Sequence, residues 1–466
     1  MKPQPDALIC RHFPGRFDLF ELVRRDRRRY PFLLESTASQ ANQVTPTARY
    51  DILFCHPQQT LIKTRGNFLE YNGQRCDDQR FLAALDSQWR NHSRSVDTTA
   101  DLPFTGGWFL YLGYELVREI ETGLELPLSD SLLPIAQATR IPAAVIYDHM
   151  LDQTSLVVEP AHAGIADTIE RDLRTPGTLP ASADPGECPG LEEDAPDIYL
   201  ANTRKVLHYI REGDVFQVNL SRQWQGKLAQ PDSHLPLYQR LRCSNPAPFA
   251  GFAALDSGTI LSSSPERLVR VRGERVDTRP IAGTRPRLAG THADVAMQDE
   301  LIRHPKERAE HVMLIDLERN DLGRLCLPGS VQVDEMMVIE SYAHVHHIVS
   351  NIRGELRPGT TPGQVIAATF PGGTITGCPK VRCMEIIAEL EQTARGPYTG
   401  SFGYLNHNGD MDLNILIRTM SIEQQTLCFR TGAGLVADSD PERELAETRA
   451  KAKGLLMAIA GKQHNA

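Results

Sequence analysis

The stretch TGSFGYLNHNGDMDLNILIRTMSI, residues 399–422, does most to set the fold class. Two strand-like runs flank His407-Asn408-Gly409-Asp410, and Asn-Gly is a strong hairpin signal because both residues accept a left-handed backbone. A hairpin makes its strands antiparallel. Further strand-like runs occur at 30–36 (YPFLLES), 50–57, 59–73, 106–116, 215–224 (VFQVNLSRQW), 259–273 (TILSSSPERLVRVRG), 330–340 and 426–437 (TLCFRTGAGLVA). Helical spacing appears at Tyr199, Val206, Leu207 and Ile210, ending before Gly213, and helices are expected at 305–319, 363–369, 379–395 and 441–460. Strands and helices mix without regular strand–helix–strand alternation. The reading is therefore α+β with a mainly antiparallel sheet.

A chain of 466 residues exceeds one small core. Residues 172–197, rich in Pro, Gly, Ala and acid, read as a linker or long loop between an N-terminal domain (1–171) and a C-terminal domain (198–462). The net charge of −9 disfavours a nucleic-acid partner. No apolar run is long enough to span a bilayer, so no membrane role is expected. The nine cysteines are dispersed, without CxxC spacing, and the start lacks an apolar leader segment. Both features suggest a reduced, cytoplasmic setting, with most thiols as small core residues.

Two acidic patterns stand apart. In PERELAETRAKAKG (441–454), Glu444, Glu447 and Lys451 share one helix face, and in KERAEHVML (306–314) Glu307 and Glu310 do the same. Taken singly, each is an ordinary solvated face. The helix beginning near Pro379 also offers backbone N–H groups that could hold an anion, although simple capping is commoner.

The motifs RPIAGTRPR (279–287), KERAEHVMLIDLERNDLGR (306–324), VHHIVSNIRGEL (345–356), FPGGTITGCPKVRCMEIIAELE (370–391) and ETRAKA (447–452) occur in that order. Together they resemble the chorismate-utilising enzymes, which include the large subunits of anthranilate and aminodeoxychorismate synthases and the isochorismate and salicylate synthases. LLES (33–36) and GGWFLYLGYE (106–115) resemble the N-terminal region of the first two groups. The resemblance implies a large antiparallel β-sandwich with helices outside and the active site between the sheets. It implies Mg²⁺ as cofactor, with Glu310 and Glu447 on the metal and Glu307 and Glu444 in support, a donor set that suits a hard cation retaining several waters. Lys451 would meet the ring carboxylate of chorismate. Arg418 and Tyr398 would bind its enolpyruvyl carboxylate, and Gly432 and Gly434 would offer a close backbone approach. Glu266 matches the general acid for the departing C4 hydroxyl, a role that needs a raised pKa. His347 and Thr284 match groups near that hydroxyl. Leu34, Glu35, Ser36, Asn245 and Pro246 match a tryptophan pocket.

Gln217 discriminates among the reactions. The water-using members place a lysine base there, and a glutamine is no base, so ammonia is the implied nucleophile. The chain has no glutaminase motif, which implies a glutamine amidotransferase small subunit as partner. The favoured product is 4-amino-4-deoxychorismate, toward p-aminobenzoate and folate, because VNLS, VHHIV and GGTITG resemble that group. Anthranilate, toward tryptophan, is the alternative, because Ala282 replaces the lysine many aminodeoxychorismate synthases carry in PIKGT. A non-catalytic chorismate- or tryptophan-binding subunit is a lesser alternative.

Overall fold

The computed structural model describes residues 7–38, 48–76, 80–92, 102–127, 129–175, 188–287, 291–341 and 345–461. Its frame is two twelve-stranded sheets, antiparallel throughout their paired registers. In the first, the neighbours run Ile9–Pro14, Gln153–Val158, Ala143–Asp148, Tyr50–Cys55, Phe32–Glu35, Phe249–Leu255, Gly258–Ser264, Thr419–Glu423, Thr426–Leu435, Gln217–Lys227 and Glu192–Glu193. The short Gly377–Cys378 strand pairs with Gln217–Lys227. In the second, Ile281–Pro286 is followed by Val345–Glu355, Arg275–Arg279, Arg267–Arg272, Met411–Asn414, Ser401–Asn406, Gly107–Leu112 and Ala136–Ile141, and the hairpin expected at 407–410 joins two of these strands.

The boundary expected at 172–197 does not separate two sheets. Phe32–Glu35 pairs with Phe249–Leu255, and Gly107–Leu112 pairs with Ser401–Asn406, so each sheet takes strands from both halves. Those pairings satisfy backbone groups that would otherwise stand as open sheet edges. Residues 176–187 of that stretch lie outside the described residues; its flanks hold a helix, Ala166–Arg174, and the start of another, Pro196–Glu212.

Strand periodicity divides the side chains between the layers. Phe32, Phe54, Ala253 and Ile260 from the first sheet meet Phe109, Phe402 and Tyr404 from the second, with Phe32 and Phe109 stacked at 4.0 Å. Their sequence neighbours face outward: Leu33, Phe252 and Leu261 pack under the helices Leu19–Arg25, His234–Ser244 and Pro441–Ala460. Leu110 and Leu405 pack under Phe81–His92, Pro305–Gly323 and Pro362–Thr369. Helices therefore lie outside a sandwich. Among the described residues none is long and apolar enough to cross a membrane. All nine cysteines are free, but only Cys55, Cys326 and Cys383 are buried, fewer than expected.

The run expected as one strand at 259–273 is two. Pro265 cannot donate a ladder hydrogen bond, and at Pro265-Glu266 the chain leaves the first sheet (Gly258–Ser264) for the second (Arg267–Arg272). Residues 415–418 cross in the opposite direction, from Met411–Asn414 to Thr419–Glu423. The crossings are bonded side by side: Ile415 N–H donates to the Glu266 carbonyl at 3.0 Å, and Ser264 Oγ donates to the Ile415 carbonyl at 2.5 Å.

One buried ion cluster joins the site-bearing elements. Glu391, on the helix Lys380–Glu391, accepts from Arg395 at 2.6 Å, from Arg430 at 3.1 Å and from both Ser221 N and Oγ at 2.8 Å. Arg395 also donates to the carbonyl of Asn219 at 2.8 Å and lies over the Tyr398 ring at 5.4 Å. Burial opposes the charge, yet the two guanidiniums hold Glu391 below the ordinary carboxylate range. Removing one member would leave buried guanidinium charge uncompensated. Glu391→Ala is therefore expected to lower the unfolding free energy by roughly 3–5 kcal/mol in urea denaturation. A loss below about 1 kcal/mol, the range of a surface pair, would show that the cluster is solvated.

Candidate active site

Gln217–Lys227 and Thr426–Leu435 form the floor, with Asn219 opposite Gly434 and Ser221 opposite Gly432. Here the two glycines have a reason. A Cβ on Gly434 would fall 2.3 Å from Gln217 Nε2, and one on Gly432 would fall 2.7 Å from the Tyr398 hydroxyl and 2.8 Å from Asn219 Oδ1. Any side chain at either position would displace these polar groups.

Two helices bring the acids. From Pro305–Gly323, Glu310 accepts from Gln217 Nε2 at 2.8 Å, while Glu307 pairs with Arg285 at 3.2 Å. From Pro441–Ala460, Glu447 pairs with Lys451 at 2.8 Å, and Lys451 also donates to the Gly432 carbonyl at 3.0 Å. Burial, reinforced by the negative charges of Glu307 and Glu447, pushes Glu310 up to about 7 against the pull of Lys451 and Gln217. The Tyr199 hydroxyl is raised by burial and then by the charges of Glu444 and Glu447, so both acids lie within electrostatic reach of that buried ring. Glu444 is buried; Glu447 is exposed.

Glu266 sits on the first crossover, buried, with its Oε1 3.4 Å from the Ile281 N–H. Burial pushes it up to about 7, although the Thr374 hydroxyl, the Ile281 N–H, Arg418 and Lys451 all favour its ionised form. Arg418, on the second crossover, has a left-handed backbone (φ +51°), as does Thr399 (φ +62°) beside Tyr398. Such strain concentrates where a side chain must be aimed. His347 Nδ1 lies 3.4 Å from the Gly283 carbonyl. A carbonyl only accepts, so Nδ1 carries the hydrogen and Nε2 the lone pair. Burial, then the charge of Arg418, lowers His347 to about 3, and the ring is neutral. Thr284 pairs in register with His347; its side chain lies outside the described residues.

Arg418 and Lys451 both bear on Glu266 and on His347, and Lys451 bears on Glu310. These groups therefore share one electrostatic site, with Gln217, Tyr398, Gly432 and Gly434 on its floor. Among the described residues, no three His, Cys, Asp or Glu side chains stand together in metal-holding geometry. Glu307, Glu310 and Glu447 each engage a neighbour instead. The donor chemistry nevertheless suits Mg²⁺: hard carboxylate oxygens from two helices, with Glu310 raised by burial and by its like-charged neighbours, present the situation a divalent cation relieves.

Of the five residues expected in a tryptophan pocket, three line one cavity and two do not. Leu34, Glu35 and Ser36 line a cavity of about 420 Å³ with Tyr50, Phe249 and Tyr404. Asn245 and Pro246 do not line it. The Asn245 amide donates to Ser263 Oγ at 3.0 Å and packs against Gly454 of the C-terminal helix, and Pro248 takes the place on the cavity wall. Glu35 accepts from Tyr238 at 2.8 Å and from Arg242 at 2.7 Å. Sequence reasoning missed Asn219, Thr374 and Arg285. Asn219 was findable, since it shares a strand face with Gln217; Arg285 carries no local signal.

Residues 35–457 match the family of chorismate binding enzymes. The chain belongs to that family. An anthranilate synthase component 1 of Thermus thermophilus is 40% identical over 92% of each chain. An aminodeoxychorismate synthase component 1 of Bacillus subtilis is 42% identical over 78% of this chain and 79% of its own. The crystal structure of anthranilate synthase component I from Streptococcus pneumoniae superposes with a TM-score of 0.77 at 32% identity, covering 89% of this chain and 93% of that one. Chorismate-binding enzymes thus share this two-sheet architecture.

The environment of Glu266 predicts a pH signature in stability. Its folded pKa, about 7, lies above the ordinary value of 4.5, so ionising it costs more in the folded than in the unfolded chain. That cost is absent below about pH 4.5, grows as pH rises and is complete above about 7. Glu266→Gln, which cannot ionise, should therefore gain roughly 2–3 kcal/mol relative to wild type between pH 5 and pH 8 in urea unfolding. An unchanged difference between the two pH values would place Glu266 in solvent.

Proposed function

We propose that the chain aminates chorismate to 4-amino-4-deoxychorismate, Mg²⁺-dependently, with ammonia from a glutamine amidotransferase partner. The observation that carries the amination is Gln217: its amide donates to Glu310 at 2.8 Å, and by resemblance this is the position where the water-using members carry their lysine base. A glutamine cannot take a proton from water, whereas ammonia is already a nucleophile. The partner follows from the same residue, since the chain must receive ammonia, and the relatives named component 1 carry that designation.

Each side chain has a task in this reading. Arg418 and the Tyr398 hydroxyl hold the enolpyruvyl carboxylate, and Lys451 holds the ring carboxylate beside Gly432. Glu310 and Glu447 would hold Mg²⁺, with Glu307 and Glu444 in support, and the bound cation would neutralise the ring carboxylate. Glu266, protonated near neutrality, gives its proton to the departing C4 hydroxyl, which leaves as water. Neutral His347 accepts a hydrogen bond through Nε2 and orients that hydroxyl before it leaves. Ammonia, held close, forms the C4–N bond with its lone pair as the C4–O bond breaks, and the extra proton on nitrogen returns to the Glu266 carboxylate; close placement provides the effective concentration. The cavity beside Leu34, Glu35 and Ser36 is the proposed amino-acid site.

Anthranilate formation is a second reading, and Ala282 is what favours it. It is a buried residue on the Ile281–Pro286 strand and offers no amine to attack C2. The motifs VNLS, VHHIV and GGTITG weigh toward aminodeoxychorismate.

Pure chain incubated with chorismate, Mg²⁺ and ammonium chloride is expected to yield a product that becomes p-aminobenzoate only after an aminodeoxychorismate lyase is added. Anthranilate and pyruvate appearing without the lyase would establish the second reading instead. Gln217→Lys should lose most amination and release some isochorismate, detected by chromatography. Full amination by that variant would remove Gln217 from the nucleophile's side of the ring.

A further inference from the structure

Two buried amide oxygens on one strand face have no hydrogen-bond partner: Gln217 Oε1 and Asn219 Oδ1. The residues are 3% and 8% exposed, so water does not freely compensate either atom. They stand two apart on Gln217–Lys227 and share its face. Gln217 is fixed in orientation, because its Nε2 donates to the carboxylate of Glu310 and turns Oε1 the other way. Asn219 Oδ1 is held over Gly432, where the Tyr398 hydroxyl also approaches, and the Asn219 backbone is anchored by Arg395 at 2.8 Å.

Unpartnered acceptors at a binding site call for a ligand rich in donors. Chorismate is poor in them. Its two carboxylates and ether oxygen only accept, and its single hydroxyl is the one donor. Ammonia brings three N–H donors and keeps a lone pair for attack. We propose that Asn219, together with Gln217, forms a two-acceptor cradle that binds and orients the ammonia nucleophile. This rests on the amination reading above and adds Asn219 to it as a nucleophile-binding residue.

The test separates the two substrates. Initial rates are measured with ammonium chloride varied at saturating chorismate, and with chorismate varied at saturating ammonium, at one pH and ionic strength. Asn219→Leu and Asn219→Ala should raise the KM for ammonium about tenfold, the scale of one lost hydrogen bond, and leave the KM for chorismate within about twofold. Asn219→Asp, which keeps the acceptor, should stay near wild type in ammonium KM and guards against a folding defect in the other two. Thermal unfolding of each variant is recorded alongside. Unchanged ammonium KM in the Leu and Ala variants, or a rise confined to chorismate KM, overturns the cradle while leaving amination intact. Wild-type chain with no ammonium-dependent turnover of chorismate overturns both.

Discussion

Glu310 is a carboxylate placed at a buried seam with two other carboxylates bearing on it. Desolvation and like charge both oppose its ionisation, and it reaches about 7 despite Lys451 and Gln217. The surroundings are arranged around that conflict. Gln217 turns its amide nitrogen to it, Gly434 leaves room for that amide, and Lys451 and Arg285 hold Glu447 and Glu307. A divalent cation bound by these acids would convert the repulsion into coordination, and it would do so where a dicarboxylate substrate needs a positive counter-charge. The orientation of Gln217 follows from the same contact.

The sandwich supplies the rigidity for this arrangement. The crossovers at Pro265-Glu266 and at 415–418 run in opposite directions between the sheets and are bonded to each other. They place Glu266 and Arg418 on neighbouring, over-determined backbone. The Glu391 cluster does the same for the floor, fixing Ser221, Asn219 and Tyr398 through two buried guanidiniums. Sites held on paired strands and fixed crossings are more exact in geometry than sites on free loops.

Much of this was legible in the sequence wherever the signal was local. The helices carrying Glu307, Glu310, Glu444, Glu447 and Lys451 showed in their periodicity, and Asn408-Gly409 marked its hairpin. What local pattern could not give was partnership across the chain. Nothing near Phe32 says that its strand pairs with Phe249–Leu255, so the expected split at 172–197 gave way to sheets shared by both halves. The alternation in 259–273 read as one strand because Pro265 marks a break without saying that the chain changes sheet there. Asn245 looked like part of the amino-acid pocket by motif, but its amide is engaged by Ser263. Electrostatic partners such as Arg285 for Glu307 and Arg395 for Glu391 become evident only when distant segments meet.

The central claim is that these two helices hold a divalent cation through Glu310 and Glu447. Isothermal titration of Mg²⁺ into the chain, with chorismate present, measures it directly. The account predicts saturable binding of a single Mg²⁺, weakened by at least about tenfold in Glu310→Gln and in Glu447→Gln, with the thermal unfolding of both variants close to wild type. Equal Mg²⁺ affinity in wild type and both variants would contradict it, and would leave Glu447 as an ordinary ion-pair partner of Lys451 and Glu310 as a hydrogen-bond acceptor of Gln217.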